Sequence, residues 1–324
     1  MALHSSLTYI DDGFIKTANS WEGLISISIF AEEIVDEQFP LILKWLLHFQ
    51  GKLKRPEDVF WQLFFQIDGQ ECEVYQVDKI LYPLKESPFA ATSFNPEFYP
   101  INVARNLARK FGPPHRYILV ADMEQEYSLQ AEQRLRFLAE SRDIETNREL
   151  LVVRRFEHRT GTKAPQSFDE LRNGIYRDVF EFHYHYFAVG HRIYSIKKWL
   201  QRGENTTHVQ EVRKPSKHWE PMFVASASIP YHDEGLIYQY MNHLAMRWDL
   251  CAMQYKFMVA DGVFNTHEGI KELRLVGGYK WQSKKQYKEG KAAAERHKAR
   301  LIEMYPLTAP ACIGDKPKNE TATS

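Results

Sequence analysis

The chain has 324 residues, enough for one large α/β domain or two small ones with a substantial core. Hydrophobic residues make up 44% and charged residues 26%, which is ordinary for a globular protein. Lys plus Arg equals Asp plus Glu at 42 each, so the chain lacks the basic excess of nucleic-acid-binding proteins, and we set that class aside.

Apolar periodicity predicts strands and helices that alternate through the first half of the chain. Isoleucines alternate with serines after Leu24, which is the period of two of a strand. The clearest helix follows Phe98, carries one apolar stripe and stops at a Gly-Pro-Pro sequence. In chain order the pattern predicts a strand at 24–30, a helix at 37–50, a strand at 59–67 buried on both faces, a helix at 98–112, a strand at 117–121, a helix at 130–139 and a strand at 150–153.

This alternation predicts an α/β fold with a mixed, mostly parallel sheet flanked by helices. No linker rich in Pro, Gly or Ser divides the chain, so we expect a single domain over 21–306, a leader at 1–20 and a flexible tail at 307–324. The basic segment from Lys284 to Arg300 also contains acids and is interpreted as a solvated helix face, with membrane or polyanion contact as the alternative.

Cysteine usage and the N-terminus leave the cellular compartment open. Cys72, Cys251 and Cys312 form no CxxC pair, which argues against a thiolate zinc site, and an odd number leaves at least one thiol unpaired within the chain. Sequons begin at Asn205 and Asn319. The first residues show neither a signal peptide nor an apolar anchor, so for a secretory protein we expect a missing anchor or start.

Two acids follow the strand at 117–121. Ligands of open α/β sheets bind at the carboxyl ends of strands, and Asp122 and Glu124 lie two positions apart there. In extended backbone both side chains would point the same way, and together they would hold a hard divalent cation that bridges a diphosphate. On spacing alone, a solvated turn is the alternative.

Seven separated segments, in family order, resemble glycosyltransferase family 49, the family of the beta-1,4-glucuronyltransferases and of the glucuronyltransferase domain of the LARGE enzymes. They run from Trp21 to about Pro306 and cover nearly the whole chain. The segments are WEGLISISIFA, YPINVARNLAR, ILVADME, LLVVRRFE, GHRIYSIKKW, WEPMFVA and KFMVADGVFNTHEGIKE.

The resemblance implies a GT-A fold and an inverting transferase that moves a sugar, in known members glucuronate, from a UDP-sugar to a glycan or glycoprotein hydroxyl. It also implies Mn²⁺, protein O-mannosyl glycosylation, and a Golgi lumen address behind an N-terminal anchor that this sequence does not show. The implied metal ligands are Asp122, Glu124 and His267, and one imidazole with two carboxylates suits Mn²⁺ better than Mg²⁺.

Further roles are carried over by matching positions. Phe30 and Ala31 fall where the nucleotide base is expected, and Arg105 and Asn106 fall near the donor phosphates or sugar. Asp233 or Glu234, in YHDEG, is the expected catalytic base that takes the proton from the acceptor hydroxyl. The expected acceptor contacts are His191, Trp219 and Glu220.

The sequence departs from the family pattern at several positions. Glu124 replaces the second Asp of the DxD motif, and Gly235 replaces an Arg after the expected base. Ser226 and Ala227 replace paired glycines, and Tyr194 and Ser195 replace a Thr-Asn pair. Glu124, Ser226, Ala227 and Gly235 motivate an alternative: a catalytically degenerate GT-A-fold protein that binds glycans or acts as a scaffold.

A third hypothesis is a metal-dependent hydrolase that uses His183, His185 and Asp122. The two histidines have the i, i+2 spacing that places side chains on one face of a strand. No recognisable motif supports this hypothesis, and structural packing is the alternative interpretation of the pair.

Overall fold

The computed structural model describes residues 1–31, 39–65, 99–204, 206–213, 216–238, 240–272 and 283–314. Cys72, both sequon asparagines and the ends of three predicted elements (37–38, 66–67 and 98) lie outside these described residues.

A parallel three-stranded sheet forms the N-terminal part. Its strands are β1 (Ala2–Ser6), β2 (Ile25–Ala31) and β3 (Val59–Phe65), in the order β1-β2-β3. Helix α1 (Asp12–Ser20) lies between β1 and β2 in the chain, and α2 (Phe39–Gln50) precedes β3. The predicted leader at 1–20 is therefore wrong, since these residues form β1 and α1. Polar side chains buried in β1, among them Ser5 and Ser6, hid the strand from hydrophobic periodicity.

Strand β3 also differs from its prediction. It was expected to be buried on both faces, but among the described residues it pairs with β2 alone. Phe60 and Phe65 are 38% and 39% exposed. An apolar run of aromatic residues does not distinguish an edge strand from a central one.

The second sheet is mixed. Its strands are β4 (Tyr117–Leu119), β5 (Gln125–Tyr127), β6 (Glu149–His158), β7 (Val179–Glu181), β8 (Val209–Glu211), β9 (Met222–Ser226) and β10 (Lys256–Glu268). The main order is β4-β9-β6-β10-β5, with β7 paired to β6 and β8 paired to β10. Strand β9 runs antiparallel to both β4 and β6, so these two point the same way, and β10 is parallel to β6.

The two sheets meet at β1 and β4. A parallel bridge joins Ala2 to Val120, and the Ala121 amide donates to the Ala2 carbonyl at 3.0 Å. The strands β1, β4, β6 and β10 therefore end on the same side of the molecule. Between Val259 and Phe264 the register of β10 shifts, and Gly262 lies there at φ +78°, a left-handed conformation that favours glycine.

Helices flank the sheets, which confirms the predicted α/β class with its mixed sheet. They are α3 (Ile101–Lys110), α4 (Ala131–Ser141), α5 (Phe168–Gly174), α6 (Ala188–His191), α7 (Ile196–Arg202), α8 (Asn242–Ala252), α9 (Lys284–Met304) and α10 (Ala309–Ile313). Helix α9 buries one stripe that includes Ala293 and Leu301 and exposes its lysine-rich face. Within the described ranges, none of the helices combines the length and apolarity required to cross a bilayer.

The C-terminal helix is packed rather than flexible. A disulfide joins Cys251 in α8 to Cys312 in α10, and Arg247 donates to the Cys312 carbonyl at 2.8 Å. Ala309 is fully buried. The predicted flexible tail at 307–324 is thus wrong for its first eight residues, while residues 315–324 lie outside the described part of the chain.

Candidate active site

A cavity of about 1260 Å³ opens where β1, β4, β6 and β10 end. It exceeds the range of roughly 300–1,000 Å³ that is usual for small-molecule sites. Because β9 runs the opposite way, its N-terminal approach also faces the cavity. Helices α3 and α8 contribute further side chains. The site therefore lies at the carboxyl ends of the parallel strands, as α/β folds predict.

The acidic turn opens into this cavity, but its two side chains diverge. Glu124 has φ +74°, a left-handed conformation, so the extended backbone that would align it with Asp122 is absent at this turn. Both residues line the cavity. The expectation that they share one face is therefore wrong, and each meets a different set of partners.

Asp122 lies among two arginines and two histidines. His243 Nε2 is 3.4 Å, Arg155 Nη2 3.5 Å, His4 Nε2 3.7 Å and Arg105 Nη2 3.8 Å from its carboxylate. Burial by itself would raise the pKa of Asp122, but His243, His4 and Arg155 together hold that pKa well below its ordinary value. The ionised form of Asp122 is therefore stabilised by the arginines and histidines around it.

Glu124 instead meets β10. Its Oε2 lies 3.1 Å from His267 Nε2, although the two residues are 143 positions apart. The turn packs closely on α1, since a Cβ added to Gly13 would lie 3.0 Å from the Glu124 side chain. The predicted pairing of an acid from this turn with His267 is thus present in the structure.

The donor set of this pair suits part of a metal site. A carboxylate oxygen and an imidazole nitrogen converge at the cavity wall, and the buried Nδ1 of His267 has no hydrogen-bond partner in the structure. Throughout the described ranges, no group of three His, Cys, Asp or Glu side chains has metal-binding geometry. Asp122 is turned to the arginines and histidines beside it, so Glu124 and His267 fit as two protein ligands of a metal ion whose other ligands would be oxygens of a bound substrate.

Arg105 reaches the cavity from α3 and is only 1% exposed. Its Nη1 donates to Asn102 Oδ1 at 3.0 Å and to Asn242 Oδ1 at 2.9 Å, which fixes the guanidinium. Its Nε, buried as well, has no hydrogen-bond acceptor in the structure. A fixed guanidinium with a free donor beside a cavity is suited to bind phosphate or carboxylate oxygens.

Asn106, the other member of the predicted donor-binding pair, does not line the cavity. Its side chain donates to the His232 carbonyl at 2.9 Å and to Glu234 Oε1 at 2.8 Å, and it accepts from the His232 amide at 2.9 Å. It therefore fastens α3 to the 229–236 loop. One turn away, Arg109 donates to the carbonyls of the same loop.

Arg155 is a cavity residue that the sequence analysis did not single out. Its guanidinium lies 3.8 Å from the Phe182 ring centroid, and both Nε and Nη2 are buried without hydrogen-bond partners in the structure. On β6, Arg155 and Glu157 line the cavity while Phe156 between them is in the core. This period of two at a strand end was the signal in the sequence that could have found Arg155.

The three histidines predicted around 183–191 separate in the structure. His183 and His191 line the cavity with ring centroids 4.8 Å apart, whereas His185 is exposed and packs on Phe180. Burial first, and then neighbouring cations, lower the pKa of His183 to about 2 and that of His191 to about 3. Because His183 has φ +54°, the extended backbone that would align it with His185 is missing. The structure therefore does not bring together the residues of the hydrolase hypothesis.

The predicted catalytic bases lie away from the cavity lining. Asp233 Oδ2 is 2.7 Å from His297 Nδ1 and is also paired with Arg300, while Oδ1 accepts from the Gly235 amide at 2.9 Å. Glu234 is exposed and accepts from Asn106. Both carboxylates hold the 229–236 loop in place, and neither lines the cavity.

The two residues of the WEP motif have different surroundings. Trp219 is 2% exposed and packs against Phe257 with ring centroids 5.5 Å apart, so it belongs to the core rather than to an acceptor wall. Glu220 lines the cavity. Burial raises the pKa of Glu220 to about 7, even though Arg155 and Arg105 oppose that rise.

Phe30 and Ala31, expected at the nucleotide base, are buried at 3% and 1% exposure. Phe30 packs on Phe64 and Tyr99, and of these three Tyr99 lines the cavity. The structure therefore places Phe30 one layer behind the cavity wall.

The positions that depart from the family pattern also lie outside the lining, with Glu124 as the exception. Ser226 Oγ is 2.8 Å from Ser228 Oγ, and the Ala227 amide donates to the Arg116 carbonyl. Tyr194 is 79% exposed. The side chains at these positions therefore form no part of the cavity wall.

The fold and the cavity define an α/β protein whose parallel strands end at a cavity lined by acids, arginines and histidines. A family model described as "Glycosyl-transferase for dystroglycan" matches residues 1–306. The chain belongs to this glycosyltransferase family, which confirms the resemblance found in the sequence.

Named relatives and a solved structure show the extent of the similarity. Beta-1,4-glucuronyltransferase 1 of Mus musculus is 29% identical over 54% of this chain and 41% of its own length, and that of Danio rerio is 25% identical over 66% and 49%. LARGE1 of Mus musculus, named a xylosyl- and glucuronyltransferase, is 27% identical over 83% of this chain and 30% of its own length. The chain thus spans less than half of each of these relatives. A crystal structure of GalNAc-T7 with UDP, GalNAc and Mn²⁺ matches 94% of this chain and 50% of its own, with TM-score 0.46 and 9% identity.

Proposed function

We propose that this protein is a GT-A-type, metal-dependent glycosyltransferase that moves a sugar from a UDP-sugar to a glycan hydroxyl with inversion. The observation that carries the proposal is the meeting of Glu124 and His267 at 3.1 Å in a cavity that also holds Arg105 and Arg155. A carboxylate-imidazole pair beside two guanidinium groups suits a substrate with a pyrophosphate.

The donor pyrophosphate would lie between these two sets of side chains. Arg105 and Arg155 would donate to its oxygens through the guanidinium nitrogens that make no hydrogen bond among the described residues. Glu124 and His267 would hold the divalent cation, for which the imidazole favours Mn²⁺ over Mg²⁺. Such a cation neutralises the charge that develops on the departing nucleotide.

A glucuronate donor is the first choice because relatives carry glucuronyltransferase in their names. The disulfide between Cys251 and Cys312 supports a lumenal address, since disulfides persist in oxidising compartments. The address proposed is the Golgi lumen, where UDP-sugar transferases of this family act on glycoproteins.

The alternative is a degenerate relative that binds glycans without catalysis. The substitutions that motivated it lie outside the cavity lining, except Glu124, and Glu124 still meets His267. The cavity therefore supports an active enzyme over an inert scaffold.

The test is a donor screen with the purified protein. UDP-glucuronate, UDP-xylose, UDP-glucose, UDP-galactose and their N-acetyl forms are incubated with Mn²⁺ and a panel of p-nitrophenyl glycosides, and UDP release is measured. We expect one donor to give UDP release that EDTA abolishes and Mn²⁺ restores. The matched control is Glu295→Ala, an exposed acid on α9, which should behave as wild type.

Absence of UDP release with every donor would reject transfer of the sugars screened. Calorimetry would then distinguish a transferase for another donor from a degenerate glycan-binding protein, because the degenerate protein should show no Mn²⁺-dependent binding of UDP. Mn²⁺-dependent UDP binding that Glu124→Ala removes would keep the nucleotide site and limit the failure to the donors screened.

A further inference from the structure

Glu220 lacks the hydrogen bonds and ion pairs that other carboxylates of the cavity make among the described residues. Glu157 accepts from the Lys271 amide at 3.3 Å, Glu268 is paired with Lys16 at 2.5 Å, and Glu124 is paired with His267. Within the described part of the chain, the Glu220 carboxylate takes part in no hydrogen bond or ion pair. It is therefore free to accept a proton or a hydrogen bond from a substrate.

The backbone nevertheless holds Glu220 in a fixed position. Its amide donates to the Gly190 carbonyl at 2.7 Å, its predecessor Trp219 is anchored in the core, and strand β9 begins two residues later. A residue held on both sides, with an unpaired side chain directed at a cavity, is a preorganised functional group.

The surroundings of Glu220 also suit a base at neutral pH. Burial raises its pKa to about 7, Arg155 and Arg105 act against that rise, and Asp122 adds to it. A catalytic base is most effective when its pKa lies near the operating pH. Arg155 and Arg105 are also the arginines proposed to face the pyrophosphate, so Glu220 lies in the same part of the cavity as the proposed donor phosphates.

We propose that Glu220 is the general base of the transfer reaction, in place of Asp233 or Glu234. The inference rests on the proposed function. The acceptor hydroxyl oxygen bonds to the anomeric carbon of the donor sugar as the bond from that carbon to the β-phosphate oxygen breaks. The electron pair of the broken bond leaves with UDP. The hydroxyl proton passes to the Glu220 carboxylate, which later releases it to solvent.

The test compares wild type with Glu220→Gln, using the donor and p-nitrophenyl glycoside that give the highest UDP release. Loss of a general base lowers kcat by about 10²–10⁴-fold. We expect a loss in that range, while the Kd of UDP with Mn²⁺, measured by calorimetry, stays within about threefold of wild type, a change of less than 1 kcal/mol. Retention of kcat within about threefold, with the same UDP affinity, would overturn the assignment.

A pH profile separates a base from a residue that only shapes the site. In wild type kcat/KM should rise with pH through about 7, since the carboxylate must be unprotonated in the free enzyme, and then level off. Glu220→Gln should lose that acidic limb, whereas a structural role would lower the whole profile and keep the limb. Glu220→Asp keeps the carboxylate and should keep the limb at reduced rate, and it decides the question if the Gln variant does not fold.

The two proposals fail differently. If wild type releases no UDP with any donor, the proposed transferase function fails before Glu220 is tested. If wild type is active and Glu220→Gln is equally active, only the assignment of the base fails. Formate added to Glu220→Ala should restore part of the rate, and absence of rescue together with a retained acidic limb would count against the base.

Discussion

Two acidic pairs of the chain resemble each other in sequence and differ in what surrounds them. Asp122 and Glu124 follow β4 and line the cavity, whereas Asp233 and Glu234 lie in the 229–236 loop and are absent from its lining. In the first pair, Glu124 meets an imidazole from a distant strand at a cavity wall. In the second pair, Asp233 meets His297 and Arg300 of α9.

This difference shows that the partners of an acid determine its role more than its motif does. The 229–236 loop joins α3, through Asn102 and Asn106, to α9, through Asp233. It thereby holds Arg105, on the same helix, at the cavity. The loop pair therefore holds the 229–236 loop between α3 and α9, while the turn pair faces the cavity in which the proposed donor would bind.

The strongest test of this comparison removes the negative charge of one acid in each region. Glu124→Gln should lower Mn²⁺-dependent UDP release by about 100-fold or more, because a metal ion contributes several kcal/mol to stabilising the leaving charge. Its matched control is Glu234→Gln, an exposed acid bound by Asn106. We expect that control to retain kcat within about threefold, as substitutions outside a site usually do.

Initial rates at several Mn²⁺ concentrations provide the measurement. His267→Ala should reproduce the loss of Glu124→Gln, and the double variant should lose little more, since one interaction is removed in each case. Equal losses in Glu124→Gln and Glu234→Gln would contradict the division of roles.

Most of the fold was predictable because long, periodic segments determine it. The helix at α3 and the strands β2, β4 and β6 follow directly from apolar periodicity. Strand β1 was not found, since its buried serines interrupt the hydrophobic pattern that marks a strand. The edge position of β3 depends on which strands pair, which no single segment encodes.

The site was predictable only where a motif marks it. Glu124, His267 and Arg105 were found from the resemblance, and the structure places all three at one cavity. His4 was missed because it lies in the expected leader, and Arg155 because a strand-end Arg looks like any surface charge. The loop acids were misplaced, since the residue that engages Asp233 is His297, 64 positions later in the chain.

A smaller effect is expected for the contacts of Asp233 with His297 and Arg300, which hold the 229–236 loop on α9. Asp233→Asn removes the charge that faces His297 and Arg300 and leaves the cavity lining intact. Hydrogen bonds to charged groups contribute about 1.5–3 kcal/mol, so the free energy of unfolding should fall by about 2 kcal/mol. Urea denaturation measures this change, and calorimetry with UDP and Mn²⁺ should show an unchanged Kd. A large loss of UDP affinity with normal stability would place Asp233 in the binding site after all.

The smallest effect concerns the pH dependence of stability at His297. Burial would lower its pKa, but Asp249 on α8, 2.9 Å from Nε2, and Asp233, 2.7 Å from Nδ1, raise it above the ordinary value. Arg300 on the same helix, with Nη2 3.4 Å from His297 Nδ1, does not reverse that shift. The folded chain therefore binds this proton more tightly than the unfolded chain does.

Stability from the His297 proton is fully present below the unfolded pKa, about 6.5, and is lost as pH rises through the higher folded pKa. Urea denaturation of wild type and His297→Gln between about pH 5.5 and 9 should show a gap on the order of 1 kcal/mol at the acidic end that narrows with rising pH. The narrowing follows because Gln carries no proton at any pH, so only wild type loses a charge that Asp233 and Asp249 stabilise. A stability difference between wild type and His297→Gln that widened with pH would mean that the folded protein favours the neutral imidazole. Arg300 would then be the charged partner that holds Asp233 on α9.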